Sequence, residues 1–119
     1  MNLDTAIQAH AQWKMKLRSA ISRCEAVDAA TISADNCCEL GRWMHGEGRS
    51  AFGRSPVFNE CLTLHAAFHR EAGRVATAIN GRRYDEAEAM LAGGSAYNEA
   101  SSAVGAALIR LKREVAQPA

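Results

Sequence analysis

His65 and His69 stand four residues apart in the stretch His65-Ala66-Ala67-Phe68-His69, inside a segment whose apolar residues recur at helical spacing. That spacing stacks both imidazoles on one face, about one turn apart, where they can share a single metal ion. In the helical zinc-peptidase motif H-E-x-x-H, a glutamate between the histidines serves as general base, whereas the intervening residues here are Ala66, Ala67 and Phe68. The pair can hold a metal and brings no base.

The elements that must position this pair read as helices throughout. The chain is rich in Ala, Leu, Glu and Arg, and no alternating strand pattern bounded by hairpin signals occurs in it. The only prolines, Pro56 and Pro118, fall outside the amphipathic segments. Leu3, Ile7, His10, Trp13, Leu17, Ile21 and Cys24 draw one inward stripe along a first helix, which makes His10 a third inward imidazole. A second helix is predicted to start after Ser33 or Asp35 as cap and to run through Cys37, Cys38, Leu40, Trp43 and Met44 to Gly46 and Gly48. The glycines of segment 48–54 predict a loop. Ser55 then caps a third helix with Pro56 at its first position, carrying Phe58, His65, Ala72, Val75 and Ile79 up to Asn80-Gly81. A last stretch begins near Tyr84, breaks at Gly93-Gly94, restarts with Ser95 as cap and continues through Tyr97, Val104, Leu108 and Leu111. An antiparallel four-helix bundle whose last helical segment is broken near Gly93-Gly94 is the economical architecture, with residues 1–119 as a single domain.

Composition excludes several partners. A net charge of +1 supplies no field for nucleic acid or an anionic membrane surface. No apolar run approaches the roughly 18 residues of a membrane span, so direct membrane insertion is not expected. The four cysteines, two of them adjacent, sit in a chain whose start, Met1-Asn2-Leu3-Asp4, has neither a basic nor an apolar leader segment. A reducing, cytoplasmic setting with free or metal-bound thiols is the expectation.

Three histidines on inward stripes of two helices are more than an apolar core accepts, because each buried imidazole must find partners for two ring nitrogens. Nitrogen donors joined by a thiolate suit zinc, and no carboxylate belongs to the set. Periodicity leaves the thiol open. Cys37 falls in phase with Leu40 and Met44, while Cys38 lies toward the stripe's edge, with Gly41 one turn later letting a neighbouring helix approach closely at that face. Cys61 can pair with His65 but lies about 12 Å along the axis from His69, too far for all three to share one ion. Cys24 and Cys61 otherwise read as small core residues, and His45 as a solvated helix end.

At this point the residues resemble a known family, the bacterial chemoreceptor zinc-binding domain. The matching pieces are Ala9-His10-Ala11-Gln12-Trp13-Lys14, Cys38-Glu39-Leu40-Gly41-Arg42-Trp43 and His65-Ala66-Ala67-Phe68-His69, in order and over almost the whole chain. The resemblance implies a four-helix bundle with one zinc ion held by His10, Cys38, His65 and His69. It decides the thiol in favour of Cys38, with the neighbouring Cys37 a departure from the family pattern. It also implies a regulatory role in chemotaxis receptors or diguanylate cyclases, often as a homodimer. The resemblance further implies a response to zinc or, as in some receptors of the family, to hypochlorous acid, with Cys38 as the redox switch. Val104 and Leu108, expected as exposed apolar positions that a lone bundle does not place, add to the dimer expectation. A signalling output domain, in a longer chain or in a separate protein, is the implied partner.

Two other functions compete with sensing. A structural zinc bundle or zinc buffer used for dimerisation would have no folded metal-free state. A hydrolytic zinc enzyme needs an open coordination position and a base, and Glu60 and Glu71 lie on other faces of the helix, so no enzyme activity is expected. A di-iron bundle fails for want of inward Glu and Glu-x-x-His ligands.

Overall fold

The computed structural model describes residues 1–116, and Pro118 lies outside them. The regular secondary structure of the described residues is all helix, without strands. Eight helices follow in order: α1 (Leu3–Ala11), α2 (Trp13–Arg23), α3 (Ala29–Ser33), α4 (Glu39–His45), α5 (Glu47–Phe52), α6 (Pro56–Asn80), α7 (Tyr84–Met90) and α8 (Ala96–Ala116). The longest, α6, packs along α8 and also carries α2, α3 and α7, while α1 lies on α8 and touches α4. The core runs the length of α6 as Phe58, Cys61, Phe68, Ala72, Val75 and Ile79, met by Leu17 of α2, Leu40 and Met44 of α4 and Val104, Leu108 and Leu111 of α8.

The caps explain most boundaries. Ser55 accepts from the Phe58 N–H at 3.2 Å and donates its own hydroxyl to the Glu114 carboxylate at 2.7 Å, which starts α6 and ties it to the end of α8. Ser95 accepts from the Asn98 N–H, and Gly94, at φ +83°, makes the turn between α7 and α8, so the expected break near Gly93-Gly94 is found. The expected first helix is divided at Gln12, whose right-handed dihedrals and bonds to Gln8 and from Lys16 carry the helical pattern across.

Four expectations are corrected. The second helix does not begin after Ser33 or Asp35. Asp28 caps a separate short helix, α3, through Thr31, the chain then turns, and Cys38 itself caps α4, so the segment forms three short helices rather than one long one. Segment 48–54 is largely helical, as α5. Gly46 ends α4, but Gly48 is a packing residue, since a Cβ there would lie 2.9 Å from the Trp43 ring. Cys24 is no core residue. It is exposed and closes α2 in the left-handed region at φ 52°. Val104 and Leu108 are fully buried against α6 within one chain, so they give no argument for a dimer.

Close approach of α3 to α6 depends on Gly73, where an added Cβ would sit 2.4 Å from the Ser33 Cβ. The Asn80 amide holds the preceding loop by both accepting from the Val27 N–H and donating to its carbonyl, each at 2.8 Å. Overpacking costs about 1–3 kcal/mol, more than the ~1 kcal/mol that alanine returns as a better helix former. Gly73→Ala is therefore expected to lower the urea midpoint, and an unchanged or higher midpoint would show that α3 is not held this closely.

Candidate metal centre

One atom each from His10, Cys38, His65 and His69 converge so that all four lie within 4.8 Å of one another. The four expected site residues are thus brought together from three parts of the chain. His10 comes from the last turn of α1, Cys38 from the cap of α4, and His65 with His69 from successive turns in the middle of α6. Cys37 and Cys61 are not among them. Cys37, outside the helix, is exposed with its sulfur 3.6 Å from Asn36 Oδ1. Cys61 is buried in the core, which pushes its thiol up to about 12, and its position marks it as packing. His45 is exposed and pairs with Asp35 at 2.9 Å, as a solvated helix end would.

Local structure explains how each group is aimed. The His10 Nδ1 lies 3.0 Å from the Ala6 carbonyl of the preceding turn and donates to it, which fixes the tautomer and leaves the Nε2 lone pair inward. The His69 Nδ1 donates to the Ile32 carbonyl of α3 at 2.8 Å, with the same consequence. Cys38 is held by the Gly41 N–H, which lies 3.3 Å from its sulfur. Gly41 is required here because an added Cβ would fall 1.8 Å from the Asp35 carbonyl oxygen. What approaches Gly41 is the preceding loop, not a neighbouring helix. Rings close the centre: Phe68 lies 5.3 Å from His10 and Trp13 lies 6.2 Å edge-on to His69.

The inward atoms cannot all satisfy one another. His65 Nε2 and His69 Nε2 are 3.1 Å apart, and the Cys38 sulfur is 3.4 and 3.5 Å from them. His10 Nε2 and His65 Nδ1 are buried without any hydrogen-bond partner. His10 Nδ1 is committed to the Ala6 carbonyl, so its Nε2 lone pair is left over at the centre, which costs roughly 1–3 kcal/mol. A cation at the centre resolves the converging lone pairs. For tetrahedral zinc with N and S ligands at ordinary bond lengths, nitrogens sit about 3.3 Å apart and sulfur about 3.6 Å from nitrogen, close to the separations among Cys38, His65 and His69, with the His10 atom within 4.8 Å of them. Three imidazoles and one thiol are a donor set that fits zinc, with two imidazoles already braced by backbone carbonyls.

Electrostatics prepare the same outcome. Burial lowers all three imidazoles. His65 falls to about 3, with the neighbouring His69 and His10 adding to the effect. In His10 and His69 the carbonyls of Ala6 and Ile32 offset part of the burial. Burial raises the Cys38 thiol, partly offset by the Gly41 N–H. At neutral pH the histidines are therefore already unprotonated and the cysteine still carries its proton. In the metal-free protein, stability is fully present above the ordinary imidazole range near 6.5 and is lost as pH falls through the lowered values, because the unfolded chain takes up those protons first.

With the geometry in place, the chain can be classed as a helical protein with a three-histidine, one-cysteine centre. The chemoreceptor zinc-binding domain family matches residues 10–76, more than half of the chain, beginning at His10 and taking in Cys38, His65 and His69. The chain belongs to that family. Neither the curated proteins nor the solved structures gave a match. No described helix is long and apolar enough to cross a membrane.

Binding of zinc near pH 7 is expected to release about one proton, from Cys38, so that affinity rises about tenfold per pH unit between roughly 7 and 8.5. Calorimetry in buffers of different ionisation enthalpy measures that number, and release of three or more protons would mean that the imidazoles are charged in the folded protein.

Proposed function

We propose that the chain is a zinc-binding regulatory domain of bacterial signalling, in which His10, Cys38, His65 and His69 hold one zinc ion and Cys38 is the ligand that moves. The observation that carries this reading is the unequal anchoring of the four residues. His65 and His69 are buried in the middle of the 25-residue α6, and His10 is buried on α1. Cys38 is half-buried at the tip of a seven-residue helix that follows a turn. Cys38 stands ahead of Leu40 and Met44, the residues that seat α4 in the core, so the turn carrying its sulfur can shift while they stay packed.

Zinc, when bound, supplies a positive charge that keeps the thiol ionised. The three imidazoles contribute neutral lone pairs, and the carbonyls of Ala6 and Ile32 keep two of the rings turned inward. Hypochlorous acid would be met by the Cys38 thiolate, whose sulfur forms a bond to oxygen as chloride leaves, giving a sulfenic acid. That product is a weaker ligand, and the Cys38 cap of α4 would be released from the imidazoles of α1 and α6. The chain then reports the state of Cys38 through the packing of α4 and α1. The length of α6 and α8 and the way α1–α2 and α3–α4 flank them support the reading as a single four-helix-bundle domain. Four protein ligands would close the coordination shell, which supports a non-enzymatic role. The partners in this reading are a second copy of the chain and a signalling output domain, either a chemotaxis receptor or a diguanylate cyclase, in the cytoplasm.

Thermal melts with and without a strong chelator test the switch. A sensor keeps a cooperative but lower-melting metal-free state, and Cys38→Ser loses about 100-fold or more in zinc affinity while staying folded. Complete unfolding of the metal-free wild type would instead make the zinc purely structural.

A further inference from the structure

A cleft of about 140 Å³ opens between α1 and the start of α4, and both His10 and Cys38 line it. One wall is a single face of α1 and α2 formed by Thr5, Ala9 and Trp13, and the other includes Glu39 and Leu40. His10 is only 6% exposed, yet its Nε2 has no hydrogen-bond partner. The cleft thus lies against the half-buried Cys38 and against His10, whose unsatisfied Nε2 is itself shielded from solvent. Lys16, whose ammonium lies 5.1 Å from the Trp13 ring, and Glu39 both line it, one charge of each sign.

We infer that this cleft is a size-selective entrance to Cys38, admitting small reagents of a few non-hydrogen atoms and excluding peptide-sized thiols and disulfides. The volume holds several water-sized molecules, but a tripeptide such as glutathione does not fit. The balanced charges at Lys16 and Glu39 give no preference for an anion over a neutral molecule. Cys37, one residue away and exposed, has no such filter. Adjacent thiols would therefore differ in what reaches them: Cys38 meets small oxidants, while Cys37 meets the whole thiol pool. The biological meaning rests on the proposed role of Cys38, but the entrance itself does not.

The test is site-resolved alkylation of the full chain as purified, read by mass spectrometry of the Cys24, Cys37 and Cys38 peptides. In the reaction with iodoacetamide, the cysteine sulfur bonds to the reagent's CH₂ carbon, iodide leaves, and the thiol proton goes to buffer. Relative to Cys37, Cys38 is expected to react about tenfold or more slowly with fluorescein maleimide than with iodoacetamide, since access controls thiol reactivity. Ala9→Phe and, separately, Thr5→Trp should fill the cleft and slow iodoacetamide at Cys38 by about tenfold while Cys24 and Cys37 keep their rates. Both positions are exposed, and faster labelling of the buried Cys61 would reveal a variant that has lost its fold. Equal labelling of Cys38 and Cys37 by the bulky maleimide, or no slowing in either folded variant, overturns the inference. If the size filter is found in protein that holds no zinc, the inference stands and the proposed function fails.

Discussion

Three buried, uncharged imidazoles that point their lone pairs at one spot, with a thiol beside them, are the constraint around which this molecule is arranged. Such a group is unfavourable in an apolar core unless something positive sits at its centre, because neighbouring lone pairs repel and at least one buried ring nitrogen stays unpaired. The surrounding structure keeps the rings in place despite that cost. Two of the three imidazoles are braced by backbone carbonyls, and the rings of Phe68 and Trp13 pack beside them. The arrangement makes physical sense as a preformed ligand set for a cation such as zinc.

The short helices are explained by the same demand. A long helix through residues 34–46 would place Cys37 and Cys38 on its surface in fixed helical phase. Ending α3 at Ser33 and using Cys38 as the cap of α4 instead brings the sulfur to the imidazoles and gives it the Gly41 N–H as a partner. α3 has its own part, because its Ile32 carbonyl orients His69 and its seat on α6 exists only because residue 73 is glycine. Binding at the centre is thereby coupled to α1, α3, α4 and α6 through backbone contacts and needs no long-range path.

Much of this was legible in the residues. The i,i+4 spacing of His65 and His69 and the stripe containing His10 gave the inward imidazoles, because both helices follow regular periodicity and their core faces are continuous. The caps at Ser55 and Ser95 and the break at Gly93-Gly94 were legible for the same local reason. The choice between Cys37 and Cys38 was not open to periodicity. It depended on where a helix starts, and that was set by a thiol acting as cap and by a loop carbonyl packed on Gly41. Family resemblance supplied what spacing left undecided. α3 and α5 were missed because five- and six-residue helices carry too few positions for a period, and Gly48 looked like a turn residue when it was making room for Trp43. The Ile32 carbonyl, a backbone group, left no mark in the residue types. Gly73, one turn beyond His69, was the sign of a close neighbour there.

X-ray absorption at the zinc edge, on protein purified without added metal, tests the central claim most directly. The account predicts one zinc per chain with three nitrogen neighbours at about 2.0–2.1 Å and one sulfur at about 2.3 Å, the sulfur shell vanishing in Cys38→Ser and persisting in Cys37→Ser. Two sulfur neighbours, a sulfur shell that survives Cys38→Ser, or protein free of zinc would contradict it.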